Sequence, residues 1–213
     1  MIKSACHDDQ AENYDKKIQE DSLDKFNYIR ENFFELHDRV IELLELKEND
    51  HILDIGIGTG LLEEKIDVKC SISGIDISEK MLKITEDKKM NIELKPGSFS
   101  EIPYPDNTFN KIYSCFAFHH LDTYEKMIAF KEMERVLQNN GKIILGDFMY
   151  ENEDALERLK NKFYKENRAD MISEMEEEYF TDIEWLMDAF NTENFTIRKE
   201  QISTISWIVE IQF

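Results

Sequence analysis

The chain has 213 residues, enough for one domain with a full core or one domain with a helical cap, and too few for two independent ones. Its 46 acidic and 26 basic residues give a net charge of −20, so a phosphate backbone would meet repulsion without counterion release; this excludes nucleic acid as the expected partner. A hydrophobic share of 41% with only 7 Gly and 3 Pro excludes a disordered or low-complexity chain.

Cys6, Cys70 and Cys115 are too scattered for a disulfide framework or a zinc site, which suits a reducing compartment and predicts no metal. Met1 to Gln10 is polar, without the apolar core of a secretion signal, and no later apolar run approaches the length of a membrane span. The expectation is a cytoplasmic protein with no membrane partner, a monomer or homodimer. Asn194-Phe195-Thr196 is then a chance match to a glycosylation acceptor.

In chain order, Leu23, Phe26, Ile29, Phe33, Leu36, Val40, Leu43 and Leu44 recur at three- and four-residue steps, predicting one or two amphipathic helices before the first strand. His51 to Ile55 is a short apolar run broken at Gly56, as in a buried strand. Leu61, Leu62 and Ile66 suit a helix, Cys70 to Asp76 a second strand, and Ser78 caps the helix carrying Met81, Leu82 and Ile84. Ile92 to Lys95 is the third strand. Pro96 to Asn107 holds every proline and reads as a long ordered loop. Lys111 to about Phe116 is the fourth strand. Asp122 and Glu125 form a capping box before a helix through Leu137 that Asn139-Asn140-Gly141 ends, and Lys142 to Phe148 is the fifth strand.

Past Tyr150 the Lys/Glu-rich stretch to Glu178 reads as a solvated helical face more than as a lid over a substrate. Thr181-Asp182-Ile183-Glu184 is a second capping box, before Trp185, Leu186 and Phe190, which read as core. Met127, Met133, Met171, Met175 and Met187 read as packing residues. Phe195 to Phe213 alternates apolar and polar residues, as an antiparallel strand pair would.

Strands alternating with helices imply a parallel sheet covered on both faces. The expected fold is therefore α/β, a Rossmann-like doubly wound sheet of seven mostly parallel strands with the last antiparallel. It forms a single domain in which residues 1–46 are a helical cap, 47–150 the ligand-binding core, 151–194 a helical segment and 195–213 a strand pair.

Two local features carry chemistry. Gly56-Ile57-Gly58-Thr59-Gly60 sits directly after the first strand, and glycines there let a ligand lie against the main chain. Asp76 ends the second strand about 20 residues on, where a carboxylate can accept from both hydroxyls of a ribose. Leu61 stands where a dinucleotide loop needs its third glycine, which argues against NAD. With Asp54 two residues ahead of G-x-G-x-G, the chain here resembles the class I S-adenosylmethionine-dependent methyltransferases. The resemblance runs from about Tyr14 to Phe148 and is strongest to small bacterial enzymes of the YrrT type, through Ala117-Phe118-His119-His120-Leu121.

The resemblance implies S-adenosylmethionine as cofactor and a small-molecule methyl acceptor of unnamed identity. It implies a cofactor site of Tyr14, Asp54, Gly56, Gly58, Thr59, Gly60, Asp76, Ile77, Met81, Ser98, Phe99, Cys115 and Phe116. Ser98 stands where the family usually has Asp, which weakens the expected contact to the adenine amino group or moves it to backbone, and Asn110 replaces the frequent Asp at the start of strand four. His119 and His120 are the candidate catalytic residues, just beyond strand four. The plainer alternative packs one beneath the next helix and ties the other to a loop carbonyl. His37 and His51 are assigned no role. A protein that binds the cofactor or its demethylated product without transferring methyl is the alternative function.

Overall fold

In a computed structural model, residues 11–24, 27–189 and 195–213 are described; Cys6, Phe26, Phe190 and Asn194 lie outside them. Strands β1 (His51–Ile55), β2 (Ser71–Asp76), β3 (Ile92–Pro96), β4 (Phe109–Cys115) and β5 (Leu137–Tyr150) pair in parallel in the order β3-β2-β1-β4-β5. The sheet continues through β8 (Ser206–Gln212), antiparallel to β5, to β7 (Thr196–Gln201) at the edge. The expected doubly wound sheet with its antiparallel last strand is thus present. One strand was not expected: the two-residue β6 (Thr181–Asp182) pairs with the end of β5.

Of the helices, α1 (Tyr14–Asp21) and α2 (Phe33–Leu44) precede the sheet, α3 (Glu79–Asp87) follows β2, and α4 (Thr123–Val136) follows β4. After β5 come α5 (Glu153–Lys165), α6 (Ala169–Glu177) and α7 (Ile183–Ala189). Burial divides them between the faces. Leu36, Val40 and Leu44 of α2 pack on Ile52, Tyr113, Ile144 and Ile208 of one face, while Ala129, Phe130 and Met133 of α4 and Leu186 of α7 cover the other. No helix among the described residues is long and apolar enough to cross a membrane.

The predicted helix after β1 is absent; the chain makes one 3-10 turn, Glu63–Lys65. Geometry forbids more, because residues 61–70 must return along a strand of 5 residues, roughly 17 Å. Ten helical residues span only about 15 Å and would leave none for the turns. Other boundaries shift for similar local reasons. The α4 helix stops at Val136 because Leu137 pairs with Phe109, and the left-handed Asn140 (φ 61) lies inside β5. Thr181 pairs with Met149, so Asp182 is the residue that caps α7, its Oδ1 accepting from Trp185 N at 3.1 Å. Leu23 (83% exposed) and Met127 (37%) are not packing residues. The caps at Ser78 and the Asp122–Glu125 box form as expected.

The helical segment after β5 is not a solvated face alone. Phe163, Met171, Ile172, Met175 and Phe180 build a third core with Phe148 and Ile205. Lys126 Nζ donates to Leu121 O and Tyr179 O, both at 2.6 Å, and Tyr179 N donates to His119 O at 2.9 Å, so the end of α6 is tied to the segment after β4. Asn110 also has a structural task, donating to Asp50 and accepting from His51 N at the entry of the sheet.

Candidate functional site

The sheet order reverses between β2-β1 and β4-β5, and a crevice opens there at the carboxyl ends of the strands, where open α/β sheets bind ligands. A cavity of about 420 Å³ fills it. On one wall the glycine loop runs with φ of 84° at Gly56 and 55° at Gly58, the left-handed region that costs a side-chain-bearing residue roughly 1–2 kcal/mol. The two glycines differ in what surrounds them. A Cβ on Gly56 would stand 2.5 Å from Ala117 Cβ, whereas one on Gly58 would meet nothing within 4 Å. Gly56→Ala is therefore expected to destabilise the fold by about 2–4 kcal/mol in urea titration, through strain plus overpacking. Gly58→Ala is expected to cost about 1 kcal/mol of stability while placing a methyl group in the cavity. Equal stability losses for the two variants would contradict this packing.

Asp76 lies at the end of β2 and faces the cavity, its Oδ2 accepting from Gly58 N at 2.9 Å and its Oδ1 from Ser78 N at 2.8 Å. Both bonds fix the carboxylate, an acceptor-only group, at the cavity wall. Met81, Ile77, Ser98 and Phe99 form the next part of the wall. Phe99 is clamped edge-on to Phe118 at 5.5 Å, and Ser98 Oγ pairs with Ser100 Oγ at 3.1 Å. Tyr14 and Thr59 close the site from the N-terminal side: burial of the hydroxyl pushes the Tyr14 phenol up, and Thr59 Oγ1 donates to Asp15, which also pairs with Lys88 at 2.7 Å. Gly60 is set back from the cavity, its Cβ position blocked by Met90 and Thr85.

At the other end stand Cys115, Phe116 and the histidines. Burial and the Asp54 carboxyl push the Cys115 thiol well above its usual range, so it is no thiolate nucleophile. Phe116 takes a left-handed φ of 52°, stacked on Phe33 with ring centroids 4.7 Å apart. His119 and His120 part company. His119 is buried and is not among the residues facing the cavity; its Nδ1 meets Asp147 Oδ1 at 2.6 Å. His120 faces the cavity with Nδ1 2.9 Å from Glu178 Oε2. Donor atoms of His119, His120 and Glu178 lie within 4.8 Å of one another, a spacing from which a metal could be held. Each histidine already has a carboxylate partner, so the cluster is satisfied without one.

Asp147 anchors this end. Its Oδ2 accepts from the N–H groups of Ala117, Phe118 and His119 at 3.2, 2.6 and 3.1 Å, and its Oδ1 accepts from Phe148 N at 2.7 Å. Burial alone would raise this carboxyl; the His119 ring and the amide donors outweigh it and hold it below the usual carboxylate range.

Among the residues outside the expected set that reach the cavity are Glu63, Tyr179 and His37. Glu63, from the 3-10 turn, lies beside Asp54 at its floor. Tyr179 comes from the link between α6 and β6. His37 of α2 is 4% exposed with Nδ1 unpartnered, and burial together with Lys65 lowers its pKa to about 3, so it is neutral near pH 7. An ordinary helical histidine gives no local signal of such a place at a cavity wall.

Comparison with known proteins agrees with this geometry. The methyltransferase domain family matches residues 52–141. The "uncharacterized methyltransferase YrrT" of Bacillus subtilis is 30% identical over 205 residues, which cover 95% of this chain and 94% of the relative. An "uncharacterized methyltransferase" of Staphylococcus carnosus is 31% identical over 183 residues, 85% of this chain and 87% of the relative. The crystal structure of a SAM-dependent methyltransferase from Aquifex aeolicus superposes with a TM-score of 0.62 at 21% identity, over 92% of this chain and 97% of that one, a likeness of fold.

Proposed function

Because the chain belongs to the YrrT-type class I S-adenosylmethionine-dependent methyltransferases, we propose that its methyl acceptor is a small molecule taken at the histidine end of the crevice. The observation that carries this reading is the enclosure of that end by Phe33 and His37 of α2 and by Tyr179. These walls close one end of the cavity of about 420 Å³, whose whole volume is in the range of small-ligand sites. The charge of −20 also disfavours a nucleic-acid acceptor.

When bound, the cofactor supplies a methyl group on a sulfonium, which is already electrophilic. The residues fit that group: the space beside Gly58 takes a ligand against the main chain, Asp76 would grip the ribose, and Met81, Ile77 and Phe99 would hold the adenine with Ser98 at its edge. Tyr14, Asp54 and Thr59 would enclose the remainder. For the chain, the work is mainly alignment and exclusion of water.

His120 is the proposed proton acceptor. Glu178, as a carboxylate, can only accept, so it fixes Nδ1 of His120 as the protonated nitrogen and leaves base function to Nε2. His119 is proposed to act only through position, its contact with Asp147 fixing the turn that carries His120. Labelled S-adenosylmethionine and a metabolite extract should yield a labelled small molecule; label confined to protein or nucleic acid would overturn the acceptor class. In the same assay His120→Ala is expected to lower turnover about 100-fold while leaving cofactor affinity by calorimetry unchanged. Undiminished turnover would remove His120 from the chemistry.

A further inference from the structure

His119, His120 and Glu178 each bring a donor atom to within 4.8 Å of the other two. Two imidazoles and one carboxylate are a donor set that zinc takes with its fourth position left open. The contacts around the cluster suit that use. Asp147, held as a carboxylate, accepts from His119 Nδ1 at 2.6 Å, which leaves the lone pair of that ring on Nε2. A carboxylate on the far nitrogen is how a metal-binding histidine is commonly oriented. Glu178 Oε2 stands 2.9 Å from His120 Nδ1, close to the roughly 3.3 Å between neighbouring donors around a tetrahedral zinc. The widest separation in the cluster must close by about 1.5 Å, which rotation of the half-buried His120 and Glu178 side chains allows. A divalent charge would meet two carboxylates, Glu178 directly and Asp147 through the His119 ring. Lys126, whose charge Asp147 feels, is engaged with the carbonyls of Leu121 and Tyr179. His120 lines the cavity, which gives the ion its way in.

We propose that His119, His120 and Glu178 form a site for a late first-row divalent cation, zinc above all, and that filling it withdraws His120 from proton transfer. Imidazole and carboxylate together suit such an ion, whereas magnesium and calcium want oxygen alone. Whichever nitrogen of His120 takes the metal, Nε2 loses its free lone pair. Either the metal occupies Nε2 itself, or it takes Nδ1 and the ring proton moves across to Nε2. The second half of the inference rests on the base role proposed for His120; the site itself does not.

Cobalt(II) stands in for zinc and reports its geometry by visible absorption, strong when four-coordinate and weak when six-coordinate. The whole chain, freed of metal by a chelator, is expected to bind one cobalt with the strong bands, and zinc should displace it. His120→Ala and Glu178→Gln should each weaken zinc binding about 100-fold or more, with thermal unfolding midpoints and S-adenosylhomocysteine affinity retained. His51→Ala, at the opposite end of the sheet, should bind as wild type does. Weak six-coordinate bands only, or bands equally strong in all three variants, would mean that the acidic surface gathers the ion, and would overturn the site while leaving the acceptor reading standing. In the labelled-methyl assay, zinc should lower wild-type turnover in step with occupancy of the site. Full turnover with the site filled would overturn the withdrawal of His120, and turnover of His120→Ala then shows whether the base role falls with it.

Discussion

Asp147→Ala is expected to lose about 3–5 kcal/mol of folding stability, most of what a small domain has. The loss is large because the carboxylate is fully buried and accepts from four backbone N–H groups and the His119 ring. Removing it strands those donors together in a low-dielectric interior, where each unsatisfied group costs about 1–3 kcal/mol. Acid should act in the same direction. The folded pKa of Asp147 is depressed, so its stabilisation is complete above the unfolded carboxylate value near 4 and is lost as the pH falls through the lower folded value. Asp147→Asn, which does not titrate, should be less stable than wild type at pH 7 and should lose less of its stability below pH 4. Urea titrations of the three proteins at both pH values measure this. A wild-type midpoint in Asp147→Ala would show that the turn after β4 is anchored elsewhere.

What the sequence makes legible is what lies close together along the chain. The glycine loop, its preceding Asp54 and the strand-ending Asp76 come together at one cavity, a nearness legible because each sits at a strand terminus whose position the apolar runs define. The Asp122–Glu125 and Ser78 caps are legible for the same reason, since their partners are three residues away. Glu63, His37 and Tyr179 are not legible. Glu63 reaches the site because the segment after β1 is too short for a helix, and His37 and Tyr179 because α2 and the α6–β6 link fold back over the crevice. The Lys/Glu-rich stretch misleads in a related way. Its charged positions are solvated, but its apolar minority meets Phe148 and Ile205, far along the sequence, and that packing brings Glu178 to His120.

The histidine pair shows how much a side chain's direction decides. His119 turns inward to Asp147 and His120 toward the cavity, so two adjacent residues of one type divide between a holding contact and the proposed base. Of the alternatives open from sequence, burial of one histidine holds, and the second bonds the Glu178 carboxylate. That carboxylate is what gives the proposed base a defined tautomer.

Asp76→Ala is expected to weaken S-adenosylmethionine and S-adenosylhomocysteine alike, by about 30-fold or more, the equivalent of roughly 2 kcal/mol of charge-assisted hydrogen bonding. Two losses add here. The ribose would lose its carboxylate acceptor, and the bonds from Gly58 N and Ser78 N that set the loop's shape would go with it. Asp76→Asn separates them, because its amide oxygen can still accept from one of those N–H groups while the negative charge is gone; an intermediate loss is expected. Both ligands should be affected equally because they share the ribose and differ only in the methyl group, which the proposed geometry places at the far end with His120. Calorimetric titration of the two variants with the two ligands measures all four values. A loss confined to S-adenosylmethionine would place Asp76 beside the sulfonium, and no loss would remove the sugar from β2 altogether.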